Sequence, residues 1–271
     1  SVAAIMPVEA NEETWDDLQI FFSTSTGSVR RNALSDFTKV QSNGKIAMKL
    51  PKETNLVDVK ICSELDDVLL TTSLGKAIRF AVTDVRVFKG RDSTGVRGIR
   101  LAKKDFVVSM AIIRHVNVLS EERSAYFKMR RAITGEISVE EGSNDNLVTI
   151  SKERYTELSA AEEWILTLTA SGFGKRSSAH EFRVSGRGGQ GITAANLLRR
   201  DDTIVASFPV EEDDQIMLVT SAGQAIRCPV TGISRQSRTA SGVKVFNTSE
   251  DEKVVSVAWI AEKNDEDPPP T

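Results

Sequence analysis

The sequence predicts an all-β fold, a propeller-like ring of four-stranded blades that carries a small helical insertion. Two observations support this prediction. Short runs rich in Val, Ile and Thr alternate with glycine turns along most of the 271 residues, as expected for β-strands. The same pattern also recurs four times at a period of about 50 residues, which is typical of propeller arrays whose blades cover each other's apolar faces.

The first half of each repeat predicts a β-hairpin. It opens with acidic residues at the strand entry, continues as an apolar run, reaches a Ser/Thr cluster and turns at a glycine that can adopt a positive φ. The four segments are DDLQIFFSTSTGSVRR at 16–31, DDVLLTTSLGKAIRF at 66–80, EEWILTLTASGFGKRS at 162–177 and DDQIMLVTSAGQAIRC at 213–228. Their turn glycines are Gly27, Gly75, Gly172 and Gly223.

The second half of each repeat predicts a loop and a last strand. Loops rich in Arg, Ser and Gly lead into QSNGKIAMKL, STGVRGIRL, SGRGGQGIT and TASGVKVF, and the last strands are LVDVKICSE, VVSMAIIRHV, IVASFPVEE and VVSVAWIAE. The opening SVAAIMPVEA resembles such a last strand without the rest of its unit. We therefore expect a remnant strand at 1–10 and repeats at 11–64, 65–118, 163–212 and 213–262, which together form one domain over 1–262.

The interval between the second and third turn glycines predicts an insertion. Gly75 and Gly172 are 97 residues apart, whereas Gly27 and Gly75 are only 48 apart. Two segments within 119–162 begin with serine followed by helix-favouring residues, SEERSAYFKMRRAITGEI and SKERYTELSAAEEW. We expect one or two surface helices there, separated by a flexible EEGSNDN stretch. The acidic, proline-ended segment 263–271 is expected to be a disordered tail.

The residue types argue against a catalytic or metal centre. Two cysteines, Cys62 and Cys228, and two histidines, His115 and His180, lie too far apart to give a recognisable metal-ligand cluster. Neither histidine has an obvious Ser or Cys nucleophile. No apolar run reaches the roughly 18 residues of a membrane span, and a signal-peptide pattern is lacking. We expect a cytoplasmic, non-catalytic chain without a cofactor, a metal or a membrane partner.

The segment GRGGQG at 186–191 formally matches the G-x-G-x-x-G dinucleotide fingerprint. That fingerprint requires a strand before it and a helix opening at it, but the following GITAANLL is short and occupies the loop position of a β repeat. We interpret the segment as a basic glycine-rich loop that allows DNA to approach the backbone.

An arginine follows each turn glycine by four residues. Since the net charge is −3, a nucleic-acid binder would have to sort its 35 Lys and Arg onto one surface. Equivalent arginines on successive blades predict a basic rim that matches regularly spaced phosphates. The alternative is a solvated turn paired with the acids that open each strand. The predicted DNA-binding residues are Arg31, Arg79, Arg176 and Arg227, with their neighbours Arg30, Lys76, Arg91, Arg97, Lys175, Arg187, Arg235 and Arg238.

The segments DDVLLTTSLGKAIRF, DVRVFKGRDSTGVRGIRL, GFGKRSS and DEKVVSV together resemble the C-terminal domain of the DNA gyrase A subunit, over essentially the whole chain except the insertion. The resemblance implies a six-bladed β-pinwheel, in which blades exchange strands and a basic rim bends duplex DNA with a positive wrap. That wrap serves ATP-dependent negative supercoiling by the complete type II topoisomerase, an isomerase. The implied partners are double-stranded DNA, the remaining gyrase A domains and the gyrase B subunit.

Two departures from the family pattern matter. Four full repeats are present instead of six, and the basic Q-R-R-G-G-K-G type box is missing, with SGRGGQG at 185–191 as a degenerate copy in a later blade. A second candidate is the C-terminal domain of the topoisomerase IV A subunit, whose array is shorter and lacks the box. A protein-interaction propeller is a further alternative, motivated by the acidic net charge and the insertion. We expect the isolated chain to be monomeric.

Overall fold

The computed structural model describes residues 4–8, 12–38, 44–135, 149–199, 201–247 and 252–260. These residues form a β-rich array with two α-helices, as the sequence predicts. The first repeat contains β1 (Gln19–Thr24), β2 (Ser28–Ala33) and β3 (Leu56–Cys62), and the second contains β4 (Asp66–Thr72), β5 (Lys76–Ala81), β6 (Val96–Arg97) and β7 (Val107–Arg114). The third contains β8 (Trp164–Thr169), β9 (Phe173–Ser178), β10 (Ile192–Thr193) and β11 (Ile204–Val210), and the fourth contains β12 (Gln215–Thr220), β13 (Ala225–Pro229), β14 (Val243–Lys244) and β15 (Val254–Ile260).

Neighbouring repeats exchange a short strand. The sheet orders are β3-β1-β2-β6, β10-β5-β4-β7, β11-β8-β9-β14 and β13-β12-β15. Each of the first three blades therefore receives its fourth strand from the following repeat, while the last sheet has three strands among the described residues. This exchange is the pinwheel arrangement, and the predicted all-β class with a helical insertion is confirmed.

Local chemistry explains why each hairpin turns where it does. All four turn glycines have φ between 80° and 84°, a region that residues with a Cβ rarely adopt. The threonine three residues before each glycine accepts a hydrogen bond, through its Oγ1, from the backbone N–H four residues further on. The donor–acceptor distances are 3.1 Å for Thr24, 3.2 Å for Thr72, 3.3 Å for Thr169 and 3.2 Å for Thr220. The Ser/Thr cluster of each repeat thus positions the turn.

The last strands of the repeats line the middle of the array. β3, β7, β11 and β15 contact one another in sequence, whereas the exchanged strands lie at the opposite edge of their sheets. Apolar side chains fill the space between consecutive blades, for example Phe21 and Val29 of the first repeat against Val68 and Phe80 of the second. We use "outer edge" for the exchanged strands β6, β10 and β14, the loops that lie against them, and Lys76 at the start of β5, which pairs with Thr193 of β10.

A short 3₁₀ helix follows the second strand of every repeat, and the chain then crosses to the preceding blade. The crossing segment hydrogen-bonds to the backbone of that blade: Phe88 N–H donates to the Arg31 carbonyl at 2.8 Å, and Ser185 N–H donates to the Arg79 carbonyl at 2.9 Å. Arg31, Arg79 and Arg176, each four residues after its turn glycine, therefore lie at junctions between blades. The 3₁₀ helices span Leu34–Phe37, Val82–Asp84, Ala179–Glu181 and Val230–Gly232, and a further one spans Glu12–Asp17.

The insertion contains α1 (Ser120–Thr134) and α2 (Lys152–Ala160). It is anchored on the third repeat by buried residues. Tyr126 of α1 packs edge-on against His180 with ring centroids 5.5 Å apart, and His180 Nε2 lies 2.9 Å from the carbonyl oxygen of Leu158 in α2. Tyr126 also donates to Glu162 at 2.9 Å. In the part of the chain that is described, no helix is long and apolar enough to cross a membrane.

Three predicted segments remain to be placed. The EEGSNDN stretch and the tail at 263–271 lie outside the described residues. The predicted remnant strand at 1–10 is described only over residues 4–8, and these pair with no described strand. Met6 instead packs against the apolar cluster of the first blade.

Candidate nucleic-acid interface

Arg79, one of the predicted contact residues, is buried at the junction between the second and third blades. Its side chain is 4% exposed, and its Nε donates to Asp67 Oδ2 at 2.7 Å. The guanidinium also donates to the carbonyl of Ala179 in the following repeat at 2.9 Å and to that of Arg114 at 3.0 Å. Asp67 is fully buried, and its other oxygen lies 2.8 Å from His115 Nδ1. The Arg79 guanidinium therefore joins the second and third blades.

Arg31 and Arg176 occupy the same junction position in the first and third blades. Arg31 donates to Gln19 at 2.8 Å and lies 3.6 Å from Glu64. Arg176 donates to the carbonyl of Ile233 in the following repeat at 2.7 Å and to Glu212 at 2.7 Å. Both residues are about as buried as Arg79, at 5% and 4% exposure.

Arg30 and Lys175 are also buried, and they reach into the loop of the following repeat. Arg30 donates to the carbonyl of Ser93 at 2.9 Å. Lys175 Nζ donates to the carbonyls of Ser237 at 2.9 Å and Ala240 at 2.8 Å, and to that of Arg238. Burial lowers the pKa of Lys175 to about 7; the negative charge of Glu181 opposes this shift, and the positive charge of Arg238 adds to it.

The expectation that these side chains project outward is therefore wrong for Arg30, Arg31, Arg79, Lys175 and Arg176. Their recurrence in the sequence has a structural cause. Arg30, Arg79, Lys175 and Arg176 donate to backbone carbonyls of the following repeat, and a long cation can satisfy several carbonyls at once. Arg227, the fourth member of the series, is exposed and donates to Gln215. No described strand covers β13, the strand on which it lies.

The remaining predicted residues lie nearer the surface. Lys76, Arg97 and Arg187 are exposed at the outer edge, and Arg187 donates to the carbonyl of Arg97 at 3.0 Å. Arg91 is partly exposed and donates to the carbonyl of Ile46 at 3.1 Å. Arg235 is 42% exposed, but it pairs with Glu212 at 2.7 Å and lies over the Trp164 ring. Arg238 is partly buried and donates to the Thr193 carbonyl.

The sequence reasoning missed three exposed cations at the outer edge: Lys49, Arg100 and Lys244. The backbone N–H groups of Lys49 and Arg100 donate to the carbonyls of Ser93 and Gly189 in the loop of the following repeat, at 3.2 and 2.8 Å. Alignment on a loop glycine with positive φ in each repeat (Gly44, Gly95, Gly191 and Gly242) would have found them. Lys49 and Arg100 follow that glycine by five residues, and Arg97 and Lys244 follow it by two. The six outer-edge cations are Lys49, Lys76, Arg97, Arg100, Arg187 and Lys244.

The outer-edge cations differ from the buried ones in their electrostatic partners. Within the described ranges, none of the six forms an ion pair, and the polar contacts of their side chains go to hydroxyl or carbonyl oxygens, as for Lys76 to Thr193 at 3.3 Å and Lys244 to Ser171 at 2.8 Å. The buried arginines Arg31, Arg79 and Arg176, in contrast, each lie beside a carboxylate. The outer edge therefore carries several cations that have no carboxylate partner among the described residues.

The glycine-rich loop at 186–191 packs on the outer edge of the second repeat. Gly188 N–H donates to the Gly98 carbonyl at 2.6 Å. Gly191 has φ +72°, and a Cβ there would collide with the carbonyl of Ala77. The loop is followed by β10 rather than by a helix, so the structural context of a dinucleotide fingerprint is missing. Among the described residues, no group of three or more His, Cys, Asp or Glu side chains could hold a metal ion.

Comparison with known proteins gives a consistent match. The sequence profile of the family described as "DNA gyrase C-terminal domain, beta-propeller" matches residues 19–63, 66–114, 163–211 and 214–258. The DNA gyrase A subunit of Rickettsia prowazekii is 42% identical over 268 residues, which cover 97% of this chain and 29% of that protein. The corresponding protein of Rickettsia bellii is 43% identical over 267 residues, covering 98% of this chain and 30% of that protein. The chain thus spans less than a third of the length of these relatives.

Solved structures show the same architecture. The C-terminal domain of DNA topoisomerase IV superposes with a TM-score of 0.67 at 20% identity, covering 90% of this chain and 62% of that chain. A DNA gyrase A C-terminal domain superposes with a TM-score of 0.65 at 22% identity, covering 91% of this chain and 67% of that chain. At these identities the likeness concerns the fold alone.

Proposed function

Because the chain belongs to the family of DNA gyrase C-terminal domains with a β-propeller fold, we propose that it binds duplex DNA along its outer edge and bends the DNA around it. The observation that carries this proposal is the position of the six outer-edge cations. They recur on successive repeats of a ring-like array and lack carboxylate partners among the described residues. A duplex carries one phosphate charge about every 1.7 Å of its axis, so a convex edge with spaced cations is complementary to it.

The energetics of the proposal are favourable. Bending a 20–30 bp duplex by 40–90° costs on the order of 1–6 kcal/mol, which several charge-assisted phosphate contacts offset. The contacts go to phosphates, so base sequence matters only through the deformability of the duplex. If the six outer-edge cations each neutralise one phosphate, the logarithm of the binding constant falls against the logarithm of the salt concentration with a slope of about −5.

We further propose that the chain acts as a non-catalytic domain of a cytoplasmic type II topoisomerase. In that assembly it would hold a DNA segment in a positive wrap for ATP-dependent supercoiling, next to the remaining gyrase A domains and the gyrase B protein. The repeats at 11–64, 65–118, 163–212 and 213–262 would act as one DNA-bending unit, monomeric in isolation.

A role as a topoisomerase IV domain is the second candidate. The fold does not separate the two enzymes, since the solved structures of both superpose with similar TM-scores. Sequence favours the gyrase assignment, because relatives 42% and 43% identical across nearly the whole chain are gyrase A proteins.

Fluorescence anisotropy with a labelled 40 bp duplex tests the proposal. We expect binding by the 271-residue chain to weaken steeply from 50 to 200 mM salt, and Arg97→Ala to lower the magnitude of the salt slope by about 0.9. The control is Lys60→Ala, which removes a charge from an exposed site on the inner strand β3, where Lys60 pairs with Asp58 at 3.5 Å, and should leave the slope unchanged. Affinity that stays flat over this salt range, or equal losses in the two variants, would overturn the proposal. Relaxing a plasmid in the presence of the chain would report the handedness of the wrap.

A further inference from the structure

A cleft lies between the insertion and the third repeat. It is lined by Val116 and Val118 on the way into α1, by Arg123 of α1, and by a segment of the third repeat that includes Arg183 and Val184. Arg79, His180 and Phe182 complete the lining. Two separate parts of the chain, the insertion and a blade, therefore contribute cations to one depression.

The cations of this cleft are not compensated equally. Arg79 is neutralised by the buried carboxylate of Asp67, 2.7 Å away. In the described residues, neither Arg123 nor Arg183 forms an ion pair, and the Arg123 guanidinium has only a 3.3 Å hydrogen bond to Ser120 Oγ. Desolvation, followed by the positive charges of Arg183 and Arg79, lowers the pKa of Arg123. The cleft therefore carries an excess of positive charge that an anion would relieve.

The cleft is connected to the outer edge. Arg183 also lines a second depression, whose other walls are Ala77 and Ile78 of β5 and the loop that contains Ser185 and Gly189. That loop carries Arg187, an outer-edge cation, and rests on the second repeat through the hydrogen bond from Arg100 N–H to the Gly189 carbonyl at 2.8 Å. A path of cations thus runs from the outer edge through Arg183 to Arg123 on the insertion.

We propose that Arg123 and Arg183 together bind a backbone phosphate of the DNA duplex where it passes the junction of the second and third blades. The inference rests on the proposed function and assigns the insertion a part in it: helix α1 lengthens the DNA path beyond the outer edge. Arginine suits this site because its planar guanidinium can present two parallel N–H groups to phosphate oxygens. The Val184 side chain, which lines the same cleft, is exposed and offers an apolar contact for a sugar.

DNA binding by Arg123→Ala and Arg183→Ala tests the inference. The control is Lys128→Ala, which removes a charge from an exposed position of the same helix, five residues and about 140° around the axis from Arg123. We expect each arginine variant to weaken duplex binding about twofold to fivefold at 100 mM salt and to reduce the salt slope by about 0.9, while Lys128→Ala changes neither. Because both arginines hold one phosphate, the double variant should lose less than the product of the single effects.

Further variants and measurements distinguish a failure of this inference from a failure of the proposed function. Arg123→Lys keeps the charge and should retain the salt slope, and thermal unfolding should show that all variants remain folded. If Arg123→Ala and Arg183→Ala match Lys128→Ala while Arg97→Ala weakens binding, this inference is wrong and the proposed function stands. If the unmodified chain does not bind duplex DNA, both this inference and the proposed function are wrong. Inorganic phosphate at millimolar concentration should displace DNA from the unmodified chain more effectively than from Arg123→Ala. If it displaces DNA equally from both proteins, Arg123 does not form a phosphate site.

Discussion

Replacement of Arg79 by alanine should destabilise the fold and leave the DNA-contacting surface intact. The side chain is 4% exposed and donates hydrogen bonds to the Asp67 carboxylate and to carbonyls of Ala179, Phe182 and Arg114. Arg79→Ala leaves the buried carboxylate and these carbonyls without their donor. Removing one partner of a buried ion pair costs about 3–5 kcal/mol. At about 2–4 °C per kcal/mol for a domain of this size, the Tm should fall by about 6–20 °C.

Thermal unfolding followed by circular dichroism measures the effect, with Arg227→Ala as the matched control. Arg227 holds the same position relative to its turn glycine but is exposed, with one hydrogen bond to Gln215, so its loss should change stability by about 0.5 kcal/mol or less. Adding Asp67→Asn to Arg79→Ala should recover part of the loss, because it removes the uncompensated buried charge. At a temperature where Arg79→Ala is folded, its DNA affinity should equal that of the unmodified chain.

The opposite pattern would refute this reasoning. If Arg79→Ala melted within about 2 °C of the unmodified chain and lost DNA affinity, Arg79 would be an exposed contact residue, as the repeat pattern alone predicts. In the structure the hydrogen bonds of the Arg79 guanidinium go to the Asp67 carboxylate and to backbone carbonyls of two blades.

Three further predictions concern single positions. Gly191→Ala should destabilise the chain by about 1–3 kcal/mol in urea unfolding, since φ is +72° there and a Cβ would collide with backbone, whereas Gly186→Ala, with no atom within 4 Å of its Cβ, should be neutral. Desolvation lowers the pKa of His180 below 6.5, so the neutral imidazole stabilises the fold fully above pH 6.5. The free energy of unfolding should therefore decrease as the pH falls below 6.5. The Tm of His180→Phe should not show this pH dependence. Lys175→Met should accelerate amide hydrogen exchange in the loop at 237–240, whose carbonyls the ammonium holds, and unchanged exchange would contradict that role.

Much of the fold could be predicted because its signals are local. A glycine with φ near 80° and a threonine that accepts a backbone hydrogen bond define each hairpin, and both are visible as TxxG in the sequence. The helices of the insertion follow from the serine starts near Ser120 and Ser151 and from the excess spacing between repeats. The exchanged strands are only two residues long, too short for any periodicity to indicate, and only the family resemblance suggested them.

The candidate site was harder to predict. Aligning the repeats on the turn glycine selected Arg31, Arg79 and Arg176, which the next repeat covers. It overlooked Lys49 and Lys244, which are exposed. Recurrence showed that these positions are under a common constraint. It did not distinguish a common ligand from a common hydrogen-bonding need at each blade junction.

By itself, the sequence determined the repeat, the hairpins, the helical insertion and the family, because these depend on contacts between residues close in the chain or on patterns that recur along it. Only the tertiary structure decided which cations face solvent. A side chain's charge belongs to the residue, but its exposure depends on what another part of the chain places over it. Arg79 and Arg227 have equivalent positions in their own repeats and opposite environments, because the third repeat covers the first of them and no described strand covers the second.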